Sequence, residues 1–179
     1  MQKLLPLVLV SVLVASLGAQ AQDVPTPAAA YKNYKASLGI LGNPKVIGVQ
    51  GEVRLLKHFG GRLVVTQVFD SHRQNEFSGG GIGLLTYYIP VKNKLVEPVV
   101  GIGGVYSLYH WDTGYNRGNL TDFNVGGGVG LNLRFSSAFR TGIHVLVANG
   151  FEAAAVDGTM HAVGRKLLVM PALTFDVLL

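Results

Sequence analysis

The chain has 179 residues, a formal net charge of +5 and only 14% charged residues, against a usual ~25% for globular proteins. Hydrophobic residues reach 49% with a mean hydropathy of +0.35, which excludes a disordered chain. There is no cysteine, which excludes disulfides, thiolate metal sites, catalytic thiols and lipidated cysteines, and the scattered positive charge argues against a nucleic-acid partner.

Residues 1–21 read as a secretory signal peptide. Lys3 supplies the positive start, residues 4–17 are apolar, and Ala19-Gln20-Ala21 places small residues at the cleavage positions. The apolar run is shorter than the ~20 residues of a spanning helix. Beyond Ala21 no stretch is long and apolar enough for one either, so the remainder is a soluble domain or a membrane β-barrel. Residues 22–33 form a short Pro/Ala-rich leader, expected to be periplasmic.

From residue 34 onward, strand-length segments alternate with turn signals. Eight are expected, at 34–41, 46–56, 61–69, 80–89, 98–110, 122–135, 138–148 and 165–179. The strictest is 122–135. Phe123, Val125, Val129, Leu131, Leu133 and Phe135 lie on one face, and Asp122, Asn124, Asn132 and Arg134 lie on the other. Segment 46–56 opposes Ile47, Val49, Val53 and Leu55 to Gln50, Glu52 and Arg54. Segment 138–148 opposes Phe139, Ile143, Val145 and Val147 to Arg140 and His144. The last sets Leu167, Val169, Leu173, Phe175 and Val177 against Lys166, Thr174 and Asp176. The facing of 61–69 and 80–89 is ambiguous. A short helical turn competes at 152–156.

Connections alternate in length. Short turns fall near 58–60, 90–97 and 136–137, and long loops at 70–79, 111–121 and 149–164. Only 42–45 breaks the rule, by being short. Short periplasmic turns and long extracellular loops are the layout of outer-membrane barrels, and an even strand number puts both termini in the periplasm. The expected fold class is all-β: an eight-stranded antiparallel up-and-down transmembrane β-barrel over residues 34–179.

A membrane barrel is apolar outside and polar inside. Phe123 and Phe135 share a face twelve residues apart. That is ~40 Å along a strand and ~30 Å along the membrane normal when tilted. With Tyr88, Tyr106 and Phe139 they are expected to form an aromatic girdle. The polar faces are expected to build an interior network from Gln50, Glu52, Arg54, Asn124, Asn132, Arg134, Arg140 and His144. Inward Gly126, Gly128 and Gly130 would make room for Arg134, Arg140, Glu52 and Gln50. The network either plugs the lumen or rings a narrow pore. Lys57, Arg62, Lys92, Lys94, Arg134 and Arg140 gather at the periplasmic end, facing anionic head groups or merely solvated.

Two segments carry a resemblance. Residues 84–90 (LLTYYIP) and 97–106 (EPVVGIGGVY) form an aromatic strand, a short turn with proline and a Gly-alternating strand. With the secretion signal and the alternating turns, the chain resembles the small eight-stranded outer-membrane β-barrel family, with its A-, X- and W-type barrel domains. The resemblance implies a cell outer-membrane location, contact with outer-membrane lipid and insertion by the barrel-assembly machinery. It implies a non-enzymatic, porin-like or structural envelope role, or passage and binding of small hydrophobic molecules, with no cofactor. Two departures touch the last strand: it ends in Leu179 rather than an aromatic residue, and Pro171 removes a ladder donor.

The glycine runs contain no nucleotide-binding pattern, and HExxH, GxSxG and SxxK are absent, so no catalytic residues are expected. His72, His110 and His161 fall at the extracellular end with Asp70, Glu76, Asp112 and Asp157 nearby. They are candidate ligands for a divalent transition metal, or three solvated loop histidines. Loops 70–79, 111–121 and 149–164, with Phe77, Trp111, Tyr115 and Phe151, are candidates for contact with a small molecule or surface partner, or pack the barrel mouth. Two other readings stand beside the membrane barrel: a secreted, soluble lipocalin-like barrel holding an apolar ligand, and a surface adhesion protein acting through its loops.

Overall fold

The computed structural model describes residues 34–69, 77–92, 95–112, 114–156 and 159–179. The expected signal peptide and leader, and His72, lie outside the described residues.

Eight strands close into one antiparallel barrel, each paired with its neighbour in sequence. They are β1 (Ala36–Asn43), β2 (Val46–Arg54), β3 (Phe59–Val68), β4 (Phe77–Tyr88), β5 (Val96–Asp112), β6 (Arg117–Arg134), β7 (Phe139–Val156) and β8 (Thr159–Leu178). β8 returns to β1, from Ser37 opposite Leu178 to Gly42 opposite Leu173. No helix occurs among the described residues, and 152–156 is strand rather than a helical turn.

The wall is uneven. β1 has 8 residues and β8 has 20. At the end away from the termini, β5–β6 and β7–β8 rise as tall hairpins. Most of the expected loops 111–121 and 149–164 is therefore strand, and β7 and β8 pair up to Val156 opposite Thr159. These stretches carry few large apolar residues, which reads as loop. A hairpin needs only its local ladder to continue, so it extends regardless. β6 and β7 pair only from Arg134 opposite Arg140 up to Gly126 opposite Ala148. Above that point the two hairpins separate.

Pro171 sits where the short wall makes it harmless. The β1–β8 ladder has already ended at Leu173, and the Pro171 carbonyl accepts the Asn43 side-chain amide at 2.7 Å. The N and C=O of one strand residue point the same way. The missing N–H therefore falls on the unpaired β1 side and costs no ladder bond.

Strand parity sorts the two faces. Outside stand Leu38, Val49, Leu63, Ile102, Val125, Val129, Ile143 and Leu173, all exposed. Inside stand Gln50, Glu52, Arg62, Asn132, Arg134, Arg140, His144 and Asp176, all buried. A water-soluble barrel would put these two sets the other way round.

A layered candidate binding lumen

The lumen is stacked. At the termini end lies a layer of charges to which all eight strands contribute, β4 through the inward Tyr88 ring beneath the Arg54 guanidinium. Glu52 on β2 is its centre. Arg62 on β3 donates from Nε and Nη2 to Glu52 Oε2 at 3.1 and 2.8 Å, and Arg140 on β7 donates from Nη2 at 2.9 Å. Arg54 Nε lies 3.4 Å from Glu52 Oε1. Arg140 also bonds Asp176 on β8 at 2.7 Å and Ser37 on β1 at 3.2 Å, while Gln50 donates to Asp176 at 2.6 Å. Glu97 on β5 draws in Arg54 at 3.2 Å, and Arg134 on β6 and Arg140 at 3.5 Å.

Tyr34, just before β1, enters this layer from the terminus. Its hydroxyl lies 3.2 Å from both Glu52 and Glu97, sharing its one proton between them, and accepts from Arg54 and Arg140. The Arg54, Arg140 and Arg134 guanidiniums lie 4.5, 5.1 and 5.2 Å from its ring centre. Burial pushes the phenol far above its ordinary pKa, so it stays a neutral hydroxyl that both donates and accepts.

His144 closes the layer above. Arg62 Nη1 lies 3.1 Å from His144 Nδ1, and an arginine can only donate, so Nδ1 accepts. The ring proton is then on Nε2 and is donated to Asn132 Oδ1 at 2.9 Å. Gly130 makes this possible, because a Cβ there would lie 2.2 Å from His144 Nδ1. Gly130→Val is expected to push the imidazole out and cost about 1–3 kcal/mol, read from the midpoint of urea unfolding.

Above His144 the lumen turns apolar. Leu41, Val64, Ile82, Leu84, Val105 and Ala172 pack together, with Leu146 and Met170 against them. Over this floor lies a cavity of about 410 Å3, lined among others by Thr66, Ile82, Val105, Leu146, Phe151 and Met170. A smaller, more polar pocket of about 350 Å3 adjoins it, lined by Thr121, Asp122, Gly164 and Arg165, and Phe151 lines both.

The expected interior residues fall as follows. Gln50, Glu52, Arg54, Arg134, Arg140, Asn132 and His144 belong to the charged layer or its cap. Asn124 lies apart, at the tall hairpins, bonded to Asp122 and to Arg165. Gly126 and Gly128 accommodate Val105 and Leu146 rather than charged side chains. Arg62, expected with Arg134 and Arg140 at the periplasmic end, facing head groups or merely solvated, is buried inside with them. Tyr34, Ser37, Arg62, Glu97 and Asp176 complete the network and were not expected in it. Asp176 was already legible as opposing the aliphatic face.

Of the expected girdle, Tyr106 and Phe123 project outward next to each other, and Phe135 is exposed at the opposite end. Phe139 and Phe135 pack on Phe175, at 5.8 and 6.2 Å. Tyr88 is a correction. It is 4% exposed and faces inward, with the Arg54 guanidinium 3.2 Å from its ring centre. An aromatic ring near a strand end is read as girdle by default, but at this height the arginines offer it an interior partner.

The histidines are not brought together in what is described. His110 Nδ1 pairs with Asn119 at 2.7 Å, and His161 is exposed. Among the described residues no group of three His, Asp or Glu side chains could hold a metal. Of the loop aromatics, Trp111 is buried over Gly118, Phe151 lines the cavity and Tyr115 is fully open at the β5–β6 tip.

No family model matches the chain, and neither does any curated protein sequence. Among solved structures, the chain is similar to the N-terminal β-barrel domain of Pseudomonas aeruginosa OprF. The TM-score is 0.63 at 13% identity, over 83% of this chain and all of that one. At that identity the likeness concerns the fold: a closed eight-stranded barrel.

Proposed function

We propose that this chain is an integral outer-membrane β-barrel, sealed at its termini end, whose opposite end holds a small apolar molecule. The observation that carries this reading is the inverted exterior. Aliphatic side chains cover the outside, and Glu52, Arg62, Arg140 and Asp176 are shut inside. In water that arrangement forfeits the hydrophobic driving force, whereas in a bilayer it satisfies both solvents. The aromatic residues outside support it, with Tyr106 and Phe123 near one rim and Phe135, Phe139 and Phe175 near the other. The likeness to the OprF β-barrel domain supports the closed eight-stranded barrel on which this reading rests.

The charged layer leaves no porin-like channel, since eight strands barely accommodate their own side chains. The apolar cavity beyond it sits in the range of small-ligand sites. Its lining is unfavourable to water and suits an aliphatic or aromatic body.

Separation of the cell envelope tests the first half. The protein is expected in the outer-membrane fraction and to change gel mobility on boiling. Recovery as a soluble protein would overturn the reading. Calorimetric titration of the folded protein in detergent with a long-chain alcohol tests the second half. Saturable binding is expected, and it should be lost in Leu146→Trp, which fills the cavity.

A further inference from the structure

We infer that the ligand is a single-chain amphiphile with an anionic head, its tail in the apolar cavity and its head on Arg165. This rests on the proposed apolar lumen and names the class of molecule that fits it. The first ground is adjacency: Phe151 lines both the 410 Å3 apolar cavity and the 350 Å3 polar pocket. A wholly apolar ligand would use only one of them.

The second ground is how Arg165 is held. Its Nη1 is taken by Asp122 at 2.5 Å and by Asn124 Oδ1 at 3.3 Å. Nε and Nη2 make no hydrogen bond among the described residues, and the side chain is 64% exposed. Asp122 and Asn124 lie on β6, across the point where the β6–β7 ladder has ended. The guanidinium is thus oriented from one edge and left open along the other. That open edge is the paired-donor fork that carboxylates and phosphates accept.

Size sets the tail. At about 30 Å3 per water-sized group, the cavity takes on the order of a dozen methylenes. The floor of Val64, Ile82, Leu84 and Leu146 separates this tail from the buried charges below. The head must therefore sit at the Arg165 end.

The test compares dodecanoate with dodecanol, at pH 8, by calorimetric titration of the full folded protein in detergent micelles. Wild type is expected to bind dodecanoate at least tenfold more tightly than dodecanol. Arg165→Gln should bring the two close to parity, and Arg165→Lys should keep part of the preference. Equal affinities in wild type, or a preference untouched in Arg165→Gln, would overturn the anionic head while leaving the apolar lumen standing. Failure of both probes to bind would remove the lumen reading, and this inference with it.

Discussion

Replacing Glu52 with alanine is expected to cost roughly 3–5 kcal/mol of stability, the usual loss when one partner is removed from a buried ion pair. Glu52 carries more than one pair. Its two oxygens face Arg62, Arg140 and Arg54, and it shares the Tyr34 hydroxyl proton with Glu97. Without it, Arg62 retains only His144 Nδ1 as an acceptor among the described residues, and a neutral imidazole cannot balance its charge. Arg140 keeps Asp176 and Glu97, so the largest strain falls on the β2–β3 side. Urea titration of the refolded protein, followed by the fluorescence of the buried Trp111, reads the loss. A change below ~1 kcal/mol would mean that water screens the layer as it screens a surface pair. Glu52→Ala combined with Arg62→Met should recover part of the loss, because a charge is removed along with its partner.

Placing an arginine on the outside should be costly at mid-height and mild near the rims. Val129 is 58% exposed, on the aliphatic face of β6 between Phe123 and Phe135. In a bilayer, Val129→Arg is expected to destabilise the barrel by roughly 2–4 kcal/mol, falling to ~0–1 kcal/mol for the same change near an interface. In a soluble barrel the exposed site would tolerate it within about 0.5 kcal/mol. Urea titrations of Val129→Arg and Phe135→Arg in lipid vesicles compare the two depths. A flat profile would refute the membrane reading, however sound the barrel.

Much of the fold was legible because polarity alternates wherever the inside is charged. Arg134, Asn132 and Asp122 on β6 announced their face, as did Glu52 and Gln50 on β2 and Arg140 and His144 on β7. The same rule failed on β3 and β4. Val64 and Val65, or Leu84 and Leu85, are apolar on both faces, because the lumen at their height is itself apolar. The ambiguity was thus a sign of the cavity. Tyr34 gave no signal, since a tyrosine at the very start of the expected strand 34–41 reads as a strand end and not as part of the interior. Glu97 fell in a presumed turn, yet β5 begins before it, at Val96. Tyr88 reads as girdle from its place at a strand end, while the Arg54 guanidinium that meets its ring lies inside.

The seam between β1 and β8 bears on how the molecule assembles. Arg140 on β7 touches Ser37 on β1, Glu52 on β2 and Asp176 on β8, and Gln50 reaches Asp176 across 126 residues of sequence. An open sheet would leave Arg140 and Asp176 without several of these partners while the aliphatic face was already buried. Zipping the first strand to the last and neutralising the interior are therefore one event. Closure joins residues from opposite ends of the chain, the kind of pairing that forms slowly because its loop entropy is spent before any contact repays it. Folding should accordingly be all-or-none, with a single late barrier at the seam and no stable half-barrel on the way.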